Sequence, residues 1–336
     1  MIVKTSTTTI DEEEPMTNLS IADEPIAALP ENIRSVQPGG GVCYSLELAW
    51  GRWRRWWLRT FRSGYVARMA EKRQGDTTGA PHEVLDPRDL KYCCNLCTAH
   101  WLPEDDPFAW RERLPFARWG LAELQIMCWP LAALICLLLW LGSPWNWLSV
   151  VALVLLALVV YFFRDPSRVI PQEADAIVSP ADGTIAEVTL VDHYDFLDGP
   201  AVRIGIFLSI FNVHVNRAPR AARVVDMHYK PGEFLNAMNP ESALRNEYMW
   251  IGLEETTEPR RRLAVRAISG LIARRIVCTL RPGRQVRRGE KFGMIKLGSR
   301  TELILPRDEV TVEATVGQKV NAGSTILARY HGTVAV

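Results

Sequence analysis

Three short segments carry the side chains best suited to chemistry: VSPADG with Asp182, FNVHVNRAP with His214, and KLGSR with the dipeptide Gly298-Ser299. They offer a carboxylate, an imidazole and a hydroxyl. Taken singly, each has an ordinary reading. Asp-Gly is a hairpin turn signal, a strand histidine is a satisfied core or surface group, and Gly-Ser marks a turn. The chain holds two further Gly-Ser pairs, Gly142-Ser143 and Gly323-Ser324, so the dipeptide alone does not single out position 299. A fourth segment, CCNLCTAH, supplies Cys93, Cys94, Cys97 and His100. Zinc asks for four ligands, and Cys94-x2-Cys97 has knuckle spacing. The remaining ligands would have to come from loose candidates such as Cys43 and His82, so we read these as buried thiols and assign no metal.

The elements that must position these groups divide the chain of 336 residues into four parts. Residues 1–42 are rich in Thr, Glu, Pro and Gly and poor in large apolar residues, which predicts a disordered tail. Residues 43–120 form a Trp/Arg-rich accessory region. Within it, Trp50, Trp53 and Trp57 recur at helical spacing among arginines, a pattern suited to the lipid headgroup region. Residues 121–163 hold two charge-free runs of about 17 residues each, near the lower limit for crossing a bilayer. They are separated by SPWN and bordered by tryptophans. Arg111, Arg113 and Arg118 precede the pair and Arg164 and Arg168 follow it. That predicts a transmembrane helical hairpin with both ends cytoplasmic.

From 164 to 336 the pattern changes to short β-branched strands divided by turns, so a mostly β domain is expected. GRQVRRGEKFGMI from Gly283 and GQKVNAGSTILAR from Gly317 share Gly-x-x-Val-x-x-Gly at an offset of 34 residues. The repeat predicts two related hairpins, and its pattern resembles the strand-turn units of barrel-sandwich, lipoyl-like domains, a likeness of fold alone.

Charge is balanced, with 39 Lys+Arg against 38 Asp+Glu, which argues against nucleic acid as a partner. Seven scattered cysteines argue against a disulfide framework. The start of the chain lacks a basic stretch followed by an apolar core, so no secretory signal is expected.

Together, YFFRDPSRVIP, VSPADG, IFLSIFNVHVNRAP, YKPGEFLNA, ISGLIARRIV, GEKFGMIKLGSR and LILP closely resemble the phosphatidylserine decarboxylase family in its shorter form. The resemblance begins at Tyr161 and leaves out the first 120 residues. It implies a proenzyme whose Ser299 hydroxyl attacks the Gly298 carbonyl. Elimination then leaves a pyruvoyl group derived from Ser299, with a large and a small subunit cut between 298 and 299. On the same ground His214 is the base and Asp182 orients it. The pyruvoyl group would act as an electron sink for decarboxylation of phosphatidylserine to phosphatidylethanolamine.

Arg217, Lys230, Arg274 and Arg275 lie in or near matching motifs and are candidates for the substrate phosphate or carboxylate. Where larger family members carry a second histidine, this chain has Phe211. The expected location is the cell membrane, with the catalytic domain on its cytoplasmic face and a membrane phospholipid as substrate. Homo-oligomerisation stays open. Two alternatives remain at this point: a decarboxylase of another, archaetidylserine-like, serine phospholipid, and a non-catalytic membrane-tethered binding domain.

Overall fold

The computed structural model describes residues 29–38, 42–93, 95–236, 241–270, 275–296 and 299–332. Cys94, Arg274 and Gly298, each singled out above, lie outside the described residues. Two helices come first, α1 (Val42–Phe61) and α2 (Ser63–Lys72), and short 3-10 turns lead to α3 (Leu121–Leu141) and α4 (Asn146–Phe162). The rest is mostly β, as expected. Its strands are β1 (Ala176–Val178), β2 (Gly183–Tyr194), β3 (Gly199–Leu208), β4 (Val215–Arg217) and β5 (Ala222–Lys230). After the short helix α5 (Ser242–Arg245) come β6 (Tyr248–Glu255), β7 (Arg262–Ser269), β8 (Ile276–Cys278), β9 (Gln285–Val286) and β10 (Lys291–Ile295). The last are β11 (Ser299–Pro306), β12 (Val310–Val312), β13 (Lys319–Val320) and β14 (Ile326–Tyr330).

One eight-stranded antiparallel sheet runs β13-β2-β3-β11-β7-β6-β5-β9, and two three-stranded sheets run β1-β14-β12 and β4-β10-β8. The two halves match strand for strand. β13, β2, β3 and β11 correspond to β9, β5, β6 and β7, and each half has its own small sheet. This is a pseudo-two-fold whose axis passes between β11 and β7. Reciprocal hydrogen bonds mark it: Val178 N–H donates to the Pro219 carbonyl at 3.1 Å and Arg217 N–H to the Pro180 carbonyl at 2.9 Å. The repeated glycines are the turns of this symmetry. Gly283, Gly289, Gly317 and Gly323 all have positive φ, from 75° to 90°, a conformation that favours a residue without Cβ.

Along β11, Ser299, Thr301, Leu303 and Leu305 share one face. In register with them across β3 are Leu208, Ile206, Ile204 and Val202, all four in the main apolar core with Leu303 and Leu305. Leu29 and Ile33 belong to the same core. Residues 29–38, part of the segment expected as tail, therefore pack on the β domain. Asn32 Nδ2 donates to the Tyr229 carbonyl at 2.6 Å, and Cys278 N–H donates to the Val36 carbonyl at 3.0 Å.

The helix α3 is long and apolar enough to cross a membrane; α4, joined to it by residues 142–145, is shorter at 17 residues. Most of their surface is exposed, including Trp129, Leu139 and Trp140. Away from the base only Leu138, Ser149 and Ala152 are buried among the described residues; the base itself packs on the β domain. There Phe162, Phe163 and Ala117 pack on Val213, Val215, Val277 and Met294 of the β domain. Main-chain bonds from Ala117 N–H to the Phe163 carbonyl and from Asp165 N–H to the Pro115 carbonyl, both 2.8 Å, fasten it.

In α1 the usual polarity is reversed. Glu47, Arg54, Arg55 and Leu58 face inward, with both arginines on Asp89, while Trp50, Trp53 and Trp56 point out. Cys93 and Cys97 line a small apolar cluster, their sulfurs 3.8 Å apart. Among the described residues no three His, Cys, Asp or Glu side chains could hold a metal.

Candidate active site

Ser299 is the first residue of β11 and is fully buried. It lies mid-sheet, in register with Leu208 on one side and Ser269 on the other. The preceding strand, β10, belongs to the small sheet β4-β10-β8 and ends at Ile295. The bond before Ser299 therefore lies where the chain changes sheets. Among the described residues, Ser299 Oγ has no hydrogen-bond partner. Leaving a buried hydroxyl unmatched costs about 1–3 kcal/mol, so an orphan of this kind in a well-packed strand calls for a functional explanation.

His214 lies directly before β4, 1% exposed. Its Nδ1 is 2.9 Å from the Asn212 carbonyl. A carbonyl only accepts, so Nδ1 carries the proton and Nε2 keeps its lone pair. Burial pushes the imidazole from its usual 6.5 down to about 4, which keeps it neutral at physiological pH. The His214 carbonyl accepts from Ile295 N–H at 3.2 Å, tying this histidine to the strand that leads to Ser299.

Asp182 has different partners from those expected. Its carboxylate receives Arg168 NH2 at 2.9 and 2.7 Å and the Ala322 N–H at 2.8 Å. In this geometry the Asn212 carbonyl fills the Nδ1-accepting role expected of Asp182. What joins the three segments is Asn216, 1% exposed on β4. Its Nδ2 lies 3.2 Å from Thr301 Oγ1 and 3.4 Å from the Pro180 carbonyl. One amide thus spans the Asp182 turn, the His214 strand and the strand begun by Ser299.

The basic candidates separate. Arg217 is buried, with NH2 on Asp165 at 3.0 Å and NH1 on the Gly289 carbonyl at 3.1 Å. Arg275 is buried against Gln37 and Glu123. Lys230 is exposed above the Tyr248 ring.

Several contributors were not foreseen. Phe162 packs on the His214 ring, Arg168 holds Asp182, and Glu247 stands opposite Ser269, whose N–H donates to its carbonyl at 2.9 Å. Burial raises the Glu247 carboxyl to about 7, and among the described residues its Oε1 has no partner. Arg168 had a signal in the RDPSR motif. Glu247 had none beyond its charge in a strand-like stretch.

The phosphatidylserine decarboxylase family model matches residues 155–328. The chain is 50% identical over 244 residues to the phosphatidylserine decarboxylase proenzyme of Rhodopirellula baltica, covering 72% of this chain and 99% of that one. It is 44% identical over 193 residues to the proenzyme of the same name from Carboxydothermus hydrogenoformans, covering 57% and 89%. Against that of Desulfotalea psychrophila it is 44% identical over 188 residues, covering 56% and 86%. With the orphan serine, the neutral histidine and the strand crossing all inside the matched span, the chain belongs to the phosphatidylserine decarboxylase family.

Proposed function

We propose that this chain cuts itself between Gly298 and Ser299 and then converts phosphatidylserine to phosphatidylethanolamine. The observation that carries the reading is the fully buried Ser299 Oγ without a partner, at the point where the chain changes sheets. Ser299 Oγ bonds to the Gly298 carbonyl carbon, His214 Nε2 takes the hydroxyl proton, and the peptide C–N bond breaks to leave an ester and a free amine. Loss of the Ser299 α-proton expels the Gly298 carboxylate and leaves a dehydroalanine, which water converts to a pyruvoyl group and ammonia. Asp182 acts through Arg168, fixing the turn beside His214.

The residues present fit such a group: a buried residue with no competing hydrogen bond can be transformed without losing a contact. Once formed, the pyruvoyl carbonyl supplies an electrophile for the substrate amine and an acceptor for the electrons released with CO2. The chain's own task is then to exclude water and deliver a proton, for which His214 is our candidate. Lys230 and Arg274 are the remaining candidates for the phosphate. Residues 299–336 stay bound as the small subunit.

The membrane reading rests on exposed apolar surface. We infer that α3 and α4 form a transmembrane hairpin, with α1 lying in the headgroup region on its Trp50, Trp53 and Trp56 face. Exposed Ile210 and Phe211, with Arg164 NH2 donating to the Phe211 carbonyl at 2.9 Å, stand beside the hairpin base. Phe211 would face the lipid from which substrate enters. The repeated hairpins support the barrel-sandwich reading of the β domain. Residues 43–120 act as an accessory region, 121–163 as the anchor and 164–336 as the catalytic domain, on the cytoplasmic face.

The test is denaturing electrophoresis and mass spectrometry of purified protein. A fragment beginning at 299 with a hydrazine-reactive, Edman-blocked terminus is expected, and Ser299→Ala should abolish it. An intact chain with full decarboxylase activity would refute the proposal.

A further inference from the structure

Two residues before the proposed cut, Lys296 is 5% exposed. Its Nζ donates to Glu123, and to Gln37 Oε1 at 3.2 Å. The same two acceptors hold Arg275, through NH2 on Glu123 Oε1 at 2.6 Å and NH1 on Gln37 Oε1 at 2.9 Å. Glu47 Oε1 is 3.6 Å from Arg275 NH1 and lies on α1, where Lys91 pairs with its other oxygen. The main chain closes the ring, with Lys296 N–H donating to the Arg275 carbonyl at 3.1 Å. Lys296, Arg275, Glu123, Glu47 and Gln37 are all buried.

Such a cluster does little for stability, because each charge gives up its hydration and an apolar cluster of equal volume would hold as well. What it adds is register, since these partners satisfy one another in one arrangement only. The acceptors come from three places outside the cleavage motif: the segment before α1, α1 itself and the first turn of α3. The base of the same hairpin also supplies Phe162, packed on His214. Both the base residue and the strand leading to the cut are thus held by elements that precede the catalytic domain.

We propose that Glu123, assisted by Gln37, is a positioning residue for self-cleavage. It fixes Lys296, and with it the chain entering the sheet crossing, so that the cut waits until the hairpin base and the 29–38 segment have docked. The role ends with the cut, because Lys296 then belongs to the free C-terminal end of the large subunit. This inference rests on the self-cleavage reading.

The experiment is a pulse-chase of full-length chain translated into vesicles of phosphatidylglycerol and phosphatidylcholine, following release of the fragment that begins at 299. Glu123→Gln and Lys296→Gln should each slow release about tenfold or more. The double variant Glu123→Gln/Lys296→Gln, which restores a neutral hydrogen-bonded pair, should recover much of the rate. Decarboxylase activity per mole of hydrazine-reactive carbonyl should stay at the wild-type level in the Glu123→Gln chains that do mature. Cleavage of Glu123→Gln at the wild-type rate overturns the proposal. So does a parallel fall in activity per carbonyl, or a double variant slower than either single one, because both outcomes mark general damage to the fold. A wild-type chain that never releases the fragment refutes the self-processing reading instead.

Discussion

The ring of Phe162, at the end of α4, lies 4.6 Å from that of His214, centroid to centroid, at an interplanar angle of 38°. An element outside the β domain thus shields the proposed base from water. Shielding accounts for the imidazole being pushed down to about 4, because burial disfavours the charged form. The neutral form is the base. Self-cleavage should therefore be flat from pH 8 to 5 and fall only as pH drops through about 4. Phe162→Ala should move that inflection up towards 6.5. A wild-type rate that already falls through pH 6.5 contradicts the assignment.

The carboxylate of Asp182 is buried against Arg168 and one backbone N–H. Arg168→Met leaves an unpaired buried charge and should cost about 3 kcal/mol or more. Measured as thermal unfolding in a Ser299→Ala background, which keeps the chain whole, Arg168→Met/Asp182→Asn should regain most of that loss. In the processing-competent chain the same double variant should still cleave slowly if Asp182 orders the site through its charge. Full recovery of cleavage would reduce the pair to a structural tie.

Asn216 should matter beyond its size. Asn216→Leu removes the donor shared by Thr301 and Pro180, costing about 1–2 kcal/mol. Its larger effect should be on fragment release, because the three segments lose their common tie. Equal stability loss with unchanged release would show that strand pairing alone aligns them.

Glu247 gives a pH test of stability. Its carboxyl is raised by burial from 4.5 to about 7, so the folded chain holds a proton that the unfolded chain has lost between those values. Stability should therefore fall as pH rises through that window, by about 3 kcal/mol. In the Ser299→Ala background, Glu247→Gln should unfold at a higher temperature than its parent at pH 8 and at nearly the same temperature at pH 5. A constant difference across that range would remove Glu247 as the cause.

The glycine repeat was legible because positive φ imposes its own residue, and all four repeat glycines adopt it. The pseudo-two-fold was not, because β2 and β5, or β3 and β6, share a position in the sheet without sharing a residue pattern. Ser299 and His214 could be named from motifs. Their true neighbours could not: Arg168 and Phe162 become partners only through tertiary approach, and the Asn212 carbonyl reaches His214 through a local turn two residues away that the motif does not announce. Arg217 and Arg275 read as candidates for the substrate phosphate or carboxylate, yet both are buried and internally paired. The 29–38 segment has only three aliphatic side chains, Leu29, Ile33 and Val36, set among prolines and polar residues; that is too few to announce that Leu29 and Ile33 reach the core with Val36 packed on it. Of the expected tryptophan stripe Trp50 and Trp53 do point outward, but the third outward ring is Trp56 and Trp57 is half-buried; that the arginines of α1 turn inward on Asp89 was not visible.

β11 is hydrogen-bonded along both edges, to β3 and to β7. A cut at its first residue therefore makes a two-chain protein whose shorter chain is woven through the middle. Unfolding would release two pieces, and reassembly would become a second-order event that dilution defeats. The mature molecule would be made once, from the uncut chain, and would persist by the slowness of its opening rather than by any ability to reform.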